Sequence, residues 1–154
     1  MPLRAILDTS YILPAFGIKV RNLADDDLEL LEELRVSGEV EFLYCDVIWV
    51  ELIPKVVKEY RRRNVPLRAD LLEGVVRALR ETASAVALGP LANRVAYELR
   101  RLGHVDMVDN LLYGAAVERR AYLLTLDSRF KDFLRDHGLD YRILISHREL
   151  FEII

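Results

Sequence analysis

A chain of 154 residues that is 52% hydrophobic and 31% charged has apolar material for one real core, is too apolar to stay disordered, and is too short for two comfortable domains. Its formal net charge of −3 excludes a polycation that would hold nucleic acid over its whole surface. The single cysteine, Cys45, excludes an internal disulfide and any multi-cysteine zinc site.

Leu3–Leu7 is an apolar run of strand length that ends on Asp8, after which Thr9, Ser10 and Tyr11 turn the chain into a short helix near Ile12–Phe16. Asp25, Asp26 and Asp27 predict a helix start, a cap followed by acids where the positive end of the helix dipole favours them. This helix carries Leu28, Leu31 and Leu34 on one stripe and stops at Gly38. Val40–Tyr44 alternates and predicts a second strand. Asp46 is placed to cap the next helix, in which Glu51 sits among Ile48, Val50, Leu52 and Ile53, a poor place for a carboxylate with nothing to bind. Pro54 should break or kink that helix, leaving Lys55–Arg63 basic and exposed.

Beyond a turn at Asn64–Pro66, the residues Leu71, Leu72, Val75, Val76 and Leu79 recur at helical spacing. Gly89 and Pro90 end whatever runs through the alanine-rich stretch Ala83–Ala87, and Leu91–Leu102 predicts a helix with Val95, Leu99 and Leu102 inside, closed by Gly103. The most informative stretch, GHVDMVDNLLYGAAVERRAYLLTLDSRF, runs from Gly103 to Phe130. Asp106 and Asp109 lie one helical turn apart and share a face at the start of a helix that continues to Arg119. The strand that follows, Tyr122–Leu126, stops on Asp127. A short helix at Phe130–Asp136, a stop at Gly138 and a last strand at Tyr141–Ile145 complete the pattern, and Phe151, Ile153 and Ile154 leave an apolar C-terminus that should dock on the body or on a partner. Short apolar strands alternating with helices predict one α/β domain, residues 1–154, around a mainly parallel sheet.

Five acids stand in apolar context: Asp8, Glu51, Asp106, Asp109 and Asp127. In parallel sheets, ligands bind outside the carboxyl ends of the strands, where Asp8 and Asp127 fall. Each pair of carboxylates about 4 Å apart would cost roughly 4 kcal/mol at an effective dielectric near 20, so a cleft collecting them takes up protons or binds a cation. All-oxygen donors suit magnesium or manganese, which activate water and stabilise an in-line attack on a phosphodiester. Each acid also has a structural reading. Asp8 and Asp127 suit turns, Asp106 suits an N-cap, and Glu51 suits an ion pair with an arginine. The arginine runs at Arg61–Arg63, Arg100–Arg101 and Arg119–Arg120 read as phosphate contacts or as solvated helix faces.

Three pieces, AILDTSYIL around Asp8, VIWVEL around Glu51, and DNLLYGAAVERRAYLLTLDSRF from Asp109 to Phe130, occur in this order across nearly the whole chain. Together they resemble the PIN-domain ribonucleases, of the type found in VapC toxins of prokaryotic toxin–antitoxin pairs. The last piece is the most specific, with Asp109, Leu111, Leu112, Ala116, Thr125, Asp127 and Phe130 on the family pattern. The resemblance implies a three-layer α/β/α fold. It also implies a catalytic and metal-binding set of Asp8, Glu51, Asp109 and Asp127, with Thr9, Ser10 and Thr125 as supporting hydroxyls and Asp106 as an extra acid. The long segment Pro66–Gly89 and the early Pro54 depart from a minimal toxin.

The function expected on this basis is a Mg2+- or Mn2+-dependent endoribonuclease, the toxin of a toxin–antitoxin pair, with Arg129 among the residues that hold substrate phosphate. Its partners would be RNA, a small antitoxin protein and, given the Leu71–Leu79 stripe and the apolar C-terminus, a second copy of itself. The alternatives are an RNA-processing nuclease without an antitoxin and a PIN-fold RNA-binding protein with little catalysis. No window approaches the 18 or so apolar residues of a membrane span, and MPLRAILDTS lacks the regions of a secretion signal, so a cytoplasmic setting is expected.

Overall fold

The computed structural model describes residues 1–154. Its sheet contains β1 (Leu3–Leu7), β2 (Val40–Tyr44), β3 (Ser84–Ala85), β4 (Tyr122–Leu124) and β5 (Leu144–Ile145), every neighbouring pair parallel, in the order β3-β2-β1-β4-β5. From β1 the chain builds outward to β2 and β3 on one side, then returns to build β4 and β5 on the other. The reversal falls between β1 and β4, which opens a crevice beyond their carboxyl ends. Register sets Leu7 opposite Leu124, so Asp8 and Thr125 both leave the sheet at this crevice.

Seven helices cover the two faces: α1 (Asp25–Val36), α2 (Trp49–Arg62), α3 (Ala69–Thr82), α4 (Pro90–Arg101), α5 (Met107–Arg119), α6 (Ser128–Asp136) and α7 (His147–Ile153). The two-residue period of the strands sorts their side chains between the layers. Ile6, Leu43, Leu123 and Leu144 pack with Leu99 of α4, Leu112 of α5 and Leu134 of α6. Ala5, Phe42, Leu124 and Ile145 face the other way, towards Leu31 of α1 and Leu150 of α7. Tyr44 leads into a third cluster with Leu52 and Val56 of α2 and Val75 and Leu79 of α3. The three-layer α/β/α arrangement expected from the sequence is present.

Helix α5 is the central helix, with Leu112 to Ala116 all buried. A methyl group added to Gly114 would lie 2.3 Å from the Ala92 carbonyl oxygen, so a glycine lets α4 and α5 approach closely. Glu118, at the far end of α5, accepts hydrogen bonds from the amides of Gly89, Leu91 and Ala92 and thereby caps α4. These contacts fix α5, and with it the carboxylates at its start.

Several local expectations need correction. Pro54 does not interrupt α2, which runs through it from Trp49 to Arg62; Pro54 and Val50 both lie on the exposed face, where the carbonyl freed by the missing N–H meets water. Asp46 does not cap that helix, because its carboxylate takes the Trp49 indole N–H. The residue before α1 is Ala24, and Asp27 reaches back to accept its amide. Strand β4 ends at Leu124 and not at Leu126: Thr125 N still bonds to Ile145 O, but the Asp127 amide goes to the Thr125 hydroxyl instead of the ladder. The last strand is only Leu144–Ile145, and β3 and α7 were not expected at all. Leu102 is exposed because α4 ends at Arg101. At the C-terminus Leu150 docks while Ile153 and Ile154 remain exposed. The stripe from Leu71 to Leu79 is spent on the core, since Val75 and Leu79 are buried in one cluster with Ile12, Phe16, Leu52 and Val56.

Candidate active site

Asp8 follows β1 directly, and both of its oxygens are occupied. Oδ1 accepts the Thr9 amide at 2.8 Å, and Oδ2 accepts the Thr125 hydroxyl at 2.7 Å. The Asp127 amide donates to the same Thr125 oxygen at 3.1 Å, which leaves the hydroxyl proton for Asp8. Burial raises the Asp8 pKa; the bonds from Thr125 and Thr9 pull it back, the charge of Glu51 raises it and that of Lys55 lowers it.

Glu51 arrives from the first turn of α2. The Thr9 hydroxyl lies 2.9 Å from Glu51 Oε1 and 3.3 Å from Asp8 Oδ1, so it bridges the two carboxylates. Lys55, one turn further along α2, places its ammonium 2.6 Å from the same Glu51 oxygen. Burial works against the charged lysine, but the hydrogen bond and charge of Glu51, followed by the charges of Asp8 and Asp109, outweigh it and hold its pKa above the ordinary value.

Asp109 enters on α5 and is only 8% exposed. Its pKa is pushed up to about 9, first by burial and then by the charges of Asp8, Asp106, Asp127 and Glu51. The other four acids that stand in apolar context thus act on this one buried carboxylate. Asp106 caps α5 by accepting the Asp109 amide at 3.1 Å. Asp127 caps α6 in the same manner, accepting the Phe130 amide at 3.0 Å. The capping reading of Asp106 holds, Asp127 caps a helix where a turn is expected, and capping does not remove either acid from the cleft, because a carboxylate that accepts one amide keeps its charge and other lone pairs.

One oxygen each from Glu51, Asp106 and Asp109 lies within 4.8 Å of the others. This all-oxygen set matches the preference of a small hard divalent cation, which would relieve the like-charge repulsion that adds to burial in raising the Asp109 pKa. The residues fit Mg2+ or Mn2+.

Not every expected residue joins the cleft. Ser10 is half-buried and makes no hydrogen bond to the acids, whereas Thr9 and Thr125 do. Arg129 is exposed on the first turn of α6, away from any carboxylate partner. Two residues were overlooked. Lys55 was assigned to an exposed basic stretch, although its position four residues after Glu51 puts both on one helix face. Asn110 is fully buried; its side-chain amide donates to the His104 carbonyl at 2.9 Å, and its oxygen lies 2.6 Å from the His104 ring. That ring stacks on Phe130 at 4.4 Å, so Asn110 secures the turn that delivers Asp106.

A parallel α/β sheet with carboxylates gathered at its switch point defines an α/β protein with an acidic cleft whose donors suit a divalent cation. The sequence profile of the PIN domain matches residues 5–134, and the chain belongs to the PIN-domain family, whose general activity is nuclease. No curated protein matches the sequence. Among solved structures, the chain is similar to one from VapBC2 of Rickettsia felis, determined bound to a DNA fragment from its promoter: 17% identity, a TM-score of 0.64, and 94% of this chain and 98% of that one covered. It is also similar to PAE2754 of Pyrobaculum aerophilum, at 14% identity with a TM-score of 0.59, covering 97% of this chain and 93% of the other. At these identities the likeness establishes the fold.

Proposed function

We propose that this chain is a Mg2+- or Mn2+-dependent endoribonuclease. The observation that carries the reading is the burial of Asp109 amid Asp8, Glu51, Asp106 and Asp127 in a chain of the PIN-domain family. Glu51, Asp106 and Asp109 would supply the cation ligands, with Asp8 and Asp127 adding charge on the side of β1 and β4. The cation, when bound, stabilises negative charge at the phosphodiester and lowers the pKa of the attacking water. Thr125 and Thr9 hold the Asp8 carboxylate in one orientation, and Thr9 ties it to Glu51. Arg129, exposed two residues after Asp127 on the first turn of α6, is the residue proposed to meet substrate phosphate.

The biological role proposed is that of a toxin, held in check by a small protein that occludes the cleft. Its support is the likeness to a VapBC2 chain. Within the same proposal the setting is cytoplasmic; no helix is long and apolar enough to cross a membrane. A homodimer is included only on the exposed apolar residues Ile153 and Ile154.

The test is cleavage of a mixed set of structured and single-stranded RNAs by wild type and Asp109→Asn, with EDTA, Mg2+ or Mn2+. Cutting that needs the metal and is lost in the variant supports the nuclease. Equal cutting by both proteins refutes the assigned site. Growth arrest on expression, relieved by a co-expressed partner, separates a toxin from an RNA-processing nuclease.

A further inference from the structure

Lys55 is more than half of an ordinary pair between neighbouring turns. Its ammonium lies 2.6 Å from Glu51 Oε1, an oxygen that also faces the Thr9 hydroxyl at 2.9 Å. Thr9 in turn lies 3.3 Å from Asp8 Oδ1. The two donors converge on Oε1, and Glu51 Oε2 has no protein donor. The glutamate side chain is 17% exposed and the lysine 52%, so the ammonium reaches inward from the rim of the cleft.

We propose that Lys55 is the built-in cation of the acidic cleft, standing at the Glu51 oxygen tied to Asp8 in place of a second divalent ion, so that the cleft binds one divalent ion among Glu51, Asp106 and Asp109. The inference rests on the nuclease reading above for the existence of that ion. Its physical basis is charge placement. A lysine ammonium is a compact point charge with three donors, and at 2.6 Å from Oε1 it fills the space where a further cation would bind. A second divalent ion there would meet a positive charge at contact distance, where the two cations repel even at the rim of the cleft. The arrangement divides the work. One part of the cleft, around Asp8, Thr9 and Glu51 Oε1, has part of its charge offset by the protein's own ammonium. The other, around Asp106 and Asp109, is left for a metal.

The test is calorimetric titration of Mn2+ into wild type, Lys55→Met and Lys55→Arg, with circular dichroism to show that each variant keeps the fold. Wild type and Lys55→Arg should bind one Mn2+ per chain. Lys55→Met should bind a second ion, or bind the first about fivefold or more tightly, because a competing positive charge is gone. Two ions in wild type, or a Lys55→Met protein that matches wild type in both number and affinity, overturns the inference. Neither result bears on RNA cleavage by wild type, which by itself decides the nuclease.

Discussion

The Thr125 hydroxyl donates a 2.7 Å hydrogen bond to Asp8 Oδ2 across 117 residues of sequence. It joins the ends of the two strands between which the sheet reverses direction, β1 and β4. The Asp127 amide, donating to the Thr125 hydroxyl oxygen, ends the β4 ladder and starts the turn into α6. One threonine therefore fixes an acid, stops a strand and positions the next acid.

Thr125→Val removes the donor and the acceptor together. A buried carboxylate oxygen and a backbone amide lose their partner, at a cost of about 1–3 kcal/mol. Because the Thr125 bond lowers the Asp8 pKa, its loss should also shift the acid limb of the pH–cleavage profile to higher pH. Thr125→Ser should retain most of both properties. Melting curves and pH profiles for the two variants check this, and a valine variant indistinguishable from wild type would remove Thr125 from the site.

Asp109 sets the pH dependence of the metal-free protein. Its pKa rises from 3.8 to about 9 on folding, so between these values the folded chain retains a proton that the unfolded chain has released. Stability contributed by this group is greatest at low pH and falls as pH rises through that window. In EDTA, the wild-type melting temperature should drop between pH 5 and 9 more steeply than that of Asp109→Asn. Added Mn2+ should restore the wild type and do little for the variant. Parallel pH slopes for the two proteins would show that Asp109 is not strained by its neighbours.

Asp106 and Asp127 are both helix caps, and asparagine caps about as well as aspartate, so substitution tests charge without unfolding either helix. Since Asp106 groups with Glu51 and Asp109, Asp106→Asn should weaken Mn2+ binding about tenfold, a loss typical of disturbing a metal site. Asp127→Asn should weaken it less. Calorimetry decides the order, and a larger effect at Asp127 would move the cation towards β4.

Gly114→Ala should destabilise the fold by about 1–3 kcal/mol, as overpacking of a filled interior does. The added methyl would meet the Ala92 backbone, which cannot yield without moving α4 from α5. A melting temperature lower by about 2–4 °C for each kcal/mol is expected for a domain of this size. An unchanged value would mean that the helices are free to separate.

Much of this protein is legible along the chain. Leu3–Leu7 and Val40–Tyr44 are recognisable as strands by composition and alternation, and Asp106 as a cap by its place before an apolar helix. The apolar setting of Glu51 marks it as an acid with a task. The PIN resemblance joins these local signals into one expectation, and both the family and the three-layer fold agree with it. What sequence could not decide is spatial. The helical stripe Leu71–Leu79 looks the same whether it faces a partner or the core, and only packing shows that Val75 and Leu79 join the core with Phe16 and Leu52. Which hydroxyl supports Asp8, Thr9 and Thr125 but not Ser10, depends on where the turn after β1 aims each side chain. Lys55 reads as one more exposed base until the fold brings Asp8 and Asp109 up to the helix face it shares with Glu51. Residue type and period determine which elements form and which side chains can do chemistry. Burial of Asp109, together with the convergence of acids from four separate parts of the chain, raises its pKa and forms the acidic cleft, and both effects exist only in the tertiary structure, which brings like charges together against their repulsion.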